Sequence, residues 1–122
     1  MLFRSEDELC AMIADATSKG MNVRVVGSGH SFTPVALTNG LHITLSQMKG
    51  VKSVDHAKRR VTASAGTTIN DLVKVLKKEG LSLINQGDID SQAIAGAFTT
   101  GTHGTGATLP LLADCKIGRA HV

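Results

Sequence analysis

The stretch that most constrains this chain runs from Val23 to Pro34, Val-Arg-Val-Val-Gly-Ser-Gly-His-Ser-Phe-Thr-Pro. Val23, Val25 and Val26 form a β-branched run that predicts a buried strand ending at Gly27. Gly27 and Gly29 bracket a turn that glycine enters cheaply, because it needs a positive φ or a close backbone approach. A turn of this kind aims several backbone N–H groups into one concavity, which can hold a pyrophosphate without a dedicated cation. Ser28, Ser31 and Thr33 place hydroxyls beside it, and His30 sits at the crest, a poor position for a core histidine. Pro34 ends the loop by fixing its own φ and pushing Thr33 towards extended geometry. A Gly-x-Gly after a strand also describes an ordinary tight turn, so taken alone it leaves both readings open.

A second glycine-rich run, Gly96 to Gly106, has the sequence Gly-Ala-Phe-Thr-Thr-Gly-Thr-His-Gly-Thr-Gly. Small residues at Ala93, Ala95, Gly96 and Ala97 allow close approach, either of a packed backbone or of a ligand. Gly101 to Gly106 is too rich in glycine for a regular element and predicts a loop folded over something. Before it, Asn85 to Asp90 reads as a turn-rich loop.

The remaining elements follow from local patterns. Ser5 is placed to cap a helix, with Glu8 in the capping-box position. Leu9, Met12, Ile13 and Ala16 form its apolar stripe, and Gly20 closes it. After the turn at Asn39-Gly40, Leu41, Ile43 and Leu45 alternate as a half-buried strand does. Val51 to Asp55 and Arg60 to Ala65 predict a hairpin with a charged turn between them. Thr68 caps a second helix, with Asp71 in the box position and Ile69, Leu72, Val73 and Leu76 as its stripe. Gly80 ends it. Leu81, Leu83 and Ile84 predict a further strand, Ser91 a cap for a short helix through Ile94, Ala95 and Phe98, and Leu109 to Leu112 the start of another strand. Helix, glycine, strand and polar loop thus occur twice, as two similar packing solutions.

At 122 residues the chain has room for one domain with a real core. Its 42% apolar and 19% charged residues are globular in character. Lys116 and Arg119 account for two units of the formal charge of +3, and the 2% aromatic content provides no stacking platform, which argues against a nucleic-acid partner. Cys10 and Cys115 are far apart in sequence, and the five histidines show no ligand spacing, so no metal site is expected. No apolar run approaches the ~20 residues that span a bilayer, and no secretory signal precedes the first helix, so the expected compartment is the cytoplasm.

Gly27-Ser28-Gly29-His30-Ser31, Gly87-Asp88-Ile89-Asp90 and Gly101-Thr102-His103-Gly104-Thr105-Gly106, in this order and separation, resemble the PCMH-type flavin-binding domain of the vanillyl-alcohol oxidase superfamily. The likeness runs from about Arg4 to Ala107 and is greatest to the aldonolactone oxidase and alditol oxidase branch, which includes gulonolactone and arabinonolactone oxidases. It implies an α+β fold in which residues 1–115 form the first subdomain, a small β-sheet flanked by helices, truncated before most of the second subdomain and the substrate domain. It implies FAD as cofactor, held by Val26, Gly27, Ser28, Gly29, His30 and Ser31 around the pyrophosphate. Gly87, Asp88, Ala93, Gly96, Ala97, Phe98, Thr99, Gly101 and Thr102 fall at its other cofactor positions.

His30 matches the histidine bonded covalently to the flavin 8α-methyl in this branch. Gly87 falls beside the flavin C4a edge, where a small residue leaves a path for dioxygen, which implies an oxidase. His103 matches a loop-orienting position rather than a catalytic base. The full-length protein would oxidise a CH–OH group of a sugar lactone or polyol, whereas these residues alone would bind flavin without turnover. An unrelated α/β nucleotide-phosphate binder is the alternative, and it leaves His30 and the Gly87–Asp90 loop unexplained. Finally, residues 116–122 spell the heptapeptide that a common sequencing adaptor encodes in one frame, and are expected to be a non-native tail.

Overall fold

The structure, a computed structural model, describes Phe3, residues 5–115 and Gly118. The expectation of a non-native tail at 116–122 therefore lies, Gly118 apart, outside the described residues.

Local rules set the helices. The Ser5 hydroxyl accepts the Glu8 N–H at 3.2 Å and opens α1 (Glu6–Ser18), with three acidic residues in its first turn favouring the positive end of the helix dipole. Thr68 does the same for α2 (Ile69–Lys78), accepting from the Asp71 N–H at 3.1 Å. Both helices run out into a left-handed glycine, Gly20 and Gly80. A six-residue helix, α3 (Ile94–Thr99), and a 3-10 turn at Leu112–Cys115 complete the helical content among the described residues.

The strands form two separate pairs among the described residues. β1 (Val23–Val26) runs parallel to β2 (Leu41–Thr44), with Val23 opposite Leu41 and Val26 opposite Thr44. β3 (Val51–Asp55) and β4 (Arg60–Ala63) make the antiparallel hairpin, with a register shift between Val51 and Ser53. The fold is α+β, as the sequence implies. Its core gathers Ile69, Leu72 and Leu76 of α2 with Ile94 and Ala97 of α3 and Leu112, and the hairpin packs Val51, Val61 and Ala63 against them. Among the described residues, no helix is long and apolar enough to cross a membrane.

Leu72 is central to this core, and truncating it leaves a cavity that its rigid neighbours fill only in part. Leu72→Ala is expected to cost about 2–5 kcal/mol of folding free energy, read as a lowered thermal unfolding midpoint.

Several expectations give way. Val25 is 53% exposed rather than buried, because β1 has a single neighbouring strand and no second layer covers that side chain. Leu81 to Ile84 is not a strand: the Leu81 N–H is spent on Leu76 O at the end of α2. Leu81 and Leu83 instead pack against the core from a segment without regular structure, while Ile84 faces solvent. The second helix–glycine–strand unit is therefore incomplete. Leu109 to Leu112 does not begin a strand, since Leu112 opens the 3-10 turn, and β4 stops at Ala63, short of Ala65.

Candidate functional site

The turn that follows β1 carries Gly29 at φ +76°, a left-handed conformation that glycine takes without strain. The loop from Gly27 to Ser31 is exposed. Among the described residues, the backbone N–H groups of Ser28, Gly29, His30 and Ser31 donate to no protein acceptor, so four donors remain available to an incoming anion. Val26, half-buried, anchors the loop to the end of β1.

Ser28 ties this loop to the second glycine run. Its hydroxyl donates to Ser91 O at 2.7 Å and accepts the Ala93 N–H at 3.0 Å. The Ser91 hydroxyl lies 2.8 Å from His30 Nε2. A Cβ at Gly27 would come within 3.7 Å of Ala93 Cβ. Two segments more than sixty residues apart are thereby brought side by side.

Ser91 is not the cap of α3, contrary to the local pattern. The cap residue is Ala93, and Ser28 supplies the oxygen that its N–H needs.

The other side of this junction is held by the start of α2. Thr68 bridges to Ala93 as an isolated β-pair, Ile69 N–H donates to Gln92 O at 2.9 Å, and Asn70 N–H donates to Asp90 O at 2.8 Å. Asn70 Nδ2 adds a 2.6 Å bond to the Asp90 carboxylate. The Ile94 and Ala95 N–H groups donate to Thr67 O and Ala65 O. Residues 90–95 are thus clamped between α2 and the His30 loop. Asn70, Thr67 and Gln92 escaped the sequence reading, because their partners lie in other elements and their residue types carry no distinctive pattern.

This clamp refines the roles open to the second run. The Ala93 N–H is already occupied, so that residue meets a ligand only through other atoms. Ala97 is 1% exposed and Phe98 packs against the core, whereas Gly96 has open space where a Cβ would stand. Thr99 is exposed, with its hydroxyl donating to Ala95 O at 2.9 Å. Gly101 turns the chain with φ +69°, and the Thr102 hydroxyl reaches Gln92 Oε1 at 3.4 Å. Gly87 abuts this loop: a Cβ there would meet Thr102 Cγ2 at 3.1 Å and His103 O at 3.3 Å. Asp88 is exposed beside it. His103 Nδ1 is engaged with Gly104 O at 2.7 Å, within its own loop.

Electrostatically, neither Gly27–Ser31 nor Asn85–Gly106 contains a lysine or arginine. An anion held here would be stabilised by backbone dipoles rather than by a cationic side chain. An open depression of about 390 Å³ lined by Asn22, Val23, Arg24, Leu37, Thr38 and Asn39 lies at the opposite end of β1.

Comparison with known proteins bears on what this junction holds. Residues 1–118 match the family described as FAD binding domain. The chain is 46% identical over 102 residues to an L-gulono-1,4-lactone dehydrogenase of Mycobacterium tuberculosis, a match covering 84% of this chain and 24% of that protein. It is 38% identical over 109 residues to the L-gulonolactone oxidase of Mus musculus, covering 89% of this chain and 25% of the relative. With the D-arabinono-1,4-lactone oxidase of Eremothecium gossypii it shares 34% identity over 106 residues, covering 84% of this chain and 20% of the relative. Among solved structures, a cholesterol oxidase from B. sterolicum superposes with a TM-score of 0.74 at 21% identity, covering 84% of this chain and 21% of that one. The chain spans about a quarter or less of the length of these relatives.

Proposed function

The chain belongs to the FAD binding domain family, and from that membership we propose that it is the cofactor-holding part of an FAD-dependent oxidase acting on a CH–OH group of a sugar lactone or alditol. The observation that carries the proposal is the Ser28 bridge, which sets the free N–H donors of the His30 loop beside Ser91 and Ala93, at the entry to the helix that carries Gly96. The residues fit the cofactor. A pyrophosphate needs several convergent donors, and the loop supplies four without a competing protein acceptor among the described residues. A dinucleotide lying extended also needs a path free of side chains, and Gly29 and Gly96 leave that space.

In this reading Ser28, Gly29, His30 and Ser31 hold the pyrophosphate through their backbone N–H groups. Gly96, Thr99, Gly101 and Thr102 form the facing wall, and Gly87 with Asp88 borders the flavin ring. Bound FAD would supply the hydride acceptor that converts CH–OH to C=O. His30, exposed at the crest, would link covalently to the flavin 8α-methyl, anchoring the cofactor and tuning its potential. The base that takes the hydroxyl proton and the side chains that choose the substrate would come from beyond this chain, so turnover is assigned to the complete protein and flavin binding to these residues.

The test is to prepare the complete protein and measure bound flavin and oxidation of L-gulono-1,4-lactone, D-arabinono-1,4-lactone and xylitol. Bound FAD with hydrogen peroxide formation on one of these substrates is the expected result. A protein that binds a nucleotide other than FAD would overturn the proposal.

Gly87 offers a finer check. A methyl there presses on Thr102 Cγ2 and on His103 O, so the loop must yield by a few tenths of an ångström, and in this reading the added methyl narrows the dioxygen path beside the flavin. Gly87→Ala is expected to slow reoxidation by dioxygen several-fold while sparing turnover with an artificial acceptor, measured by stopped-flow reoxidation of the reduced protein.

A further inference from the structure

We propose that Ser91 is the positioning residue for His30, its hydroxyl fixing the imidazole so that Nδ1 is the nitrogen presented to the cofactor. The proposal rests on the covalent reading given above.

Ser91 Oγ lies 2.8 Å from His30 Nε2. Nδ1 has no partner among the described residues. A ring on an exposed loop would otherwise rotate about two side-chain torsions and offer either nitrogen, so one bond to Nε2 removes both freedoms at once. Ser91 can serve as a fixed reference because its own backbone is held. The Ser28 hydroxyl bonds Ser91 O at 2.7 Å, and the flanking residues Asp90 and Gln92 are bonded to Asn70 and Ile69 of α2. The hydroxyl therefore carries the rigidity of α2 across to a residue on a glycine loop.

The step that this geometry serves joins a His30 ring nitrogen to the flavin 8α-carbon. One methyl C–H bond and the imidazole N–H bond break, and a C–N bond forms. Two electrons pass into the flavin, and dioxygen then takes them up with two protons and leaves as hydrogen peroxide. The Ser91 hydroxyl takes no part in the bonds made or broken. Its contribution is orientation, and a misplaced reacting atom slows such a step steeply.

The experiment uses the complete protein prepared without flavin, as wild type, Ser91→Ala and Ser91→Thr. FAD is added in air, and the fraction of flavin that stays with acid-precipitated protein is followed over time. Reversible FAD binding is measured in parallel by quenching of flavin fluorescence at times short relative to attachment. For Ser91→Ala, attachment slowed about tenfold or more with unchanged reversible binding is expected, and Ser91→Thr, which restores the hydroxyl, should recover the rate. Ser91→Ala attaching flavin at the wild-type rate overturns the positioning role while leaving the covalent link intact. Loss of reversible binding in Ser91→Ala also overturns it, since Ser91 would then shape the loop rather than the ring. Wild-type protein that releases all its flavin into acid removes the covalent reading itself, and this inference with it.

Discussion

Replacing His30 by Ala in the complete protein is expected to transfer all acid-stable flavin to the supernatant while leaving FAD binding in place. The two effects separate because different atoms produce them. Pyrophosphate holding is assigned to backbone N–H groups of residues 28–31, which an alanine side chain leaves untouched. Gly29 keeps the left-handed turn that aims those groups, and the Ser28 hydroxyl still ties the loop to Ser91 and Ala93. What disappears is the only imidazole on the loop. In wild-type protein the acid pellet should be yellow and the denatured band fluorescent, and in His30→Ala both signals should vanish. The variant should bind FAD more weakly, since a tether that raises the effective concentration of the cofactor is gone. A pellet that stays yellow would place the attachment on another residue.

The site was legible in the sequence in one sense and hidden in another. Glycine runs, caps and the α2 stripe follow rules that act over three or four residues. Ser5, Thr68 and the Ile69–Leu72–Leu76 face accordingly appear where their spacing puts them. Alternation at Leu81 and Leu83 satisfied the pattern for a strand, but a strand also needs a neighbour to pair with, and that information is not local. Val25 likewise has the residue type of a buried strand on a sheet too narrow to bury it. Ser91 is the sharpest case. Three residues before a helix its hydroxyl reads as a cap, yet in the fold it turns to a histidine far upstream, and the first N–H groups of the helix are taken by the Thr67 and Ala65 carbonyls. The expectation that the two glycine runs share one ligand comes from the family resemblance, while the bonds that join them depend on tertiary contacts that no periodicity encodes.

Gly66→Ala is expected to be the most damaging single-methyl change outside the site, even though its φ is ordinary. A Cβ at Gly66 would overlap the Leu45 carbonyl oxygen, and would lie 2.7 Å from Leu45 C and 2.9 Å from Met48 O. These are backbone atoms, so no rotamer change relieves the clash. The Gly66 N–H also donates to Met48 O at 3.0 Å, which locks the two segments at this separation. Forcing them apart should cost about 3 kcal/mol or more, a large share of the ~5–15 kcal/mol that holds a domain together. The damage would travel to the site through the next residue. Thr67 is 1% exposed, and its hydroxyl donates to Ser64 O at 2.6 Å and accepts the Gly50 N–H at 2.9 Å. Its carbonyl holds Ile94 at the start of α3.

Thr67→Val separates the two contributions, because it keeps the shape and removes only the hydroxyl. It should cost about 1–3 kcal/mol for buried groups left unpaired. Denaturant unfolding of the complete protein should therefore order the midpoints as wild type, Thr67→Val and then Gly66→Ala, with FAD affinity falling in the same order. Gly66→Ala at wild-type stability would mean that Leu45 and Met48 do not hold the backbone at this distance. A drop in FAD affinity without a loss of stability would instead place the Gly66–Thr67 joint in the cofactor wall itself.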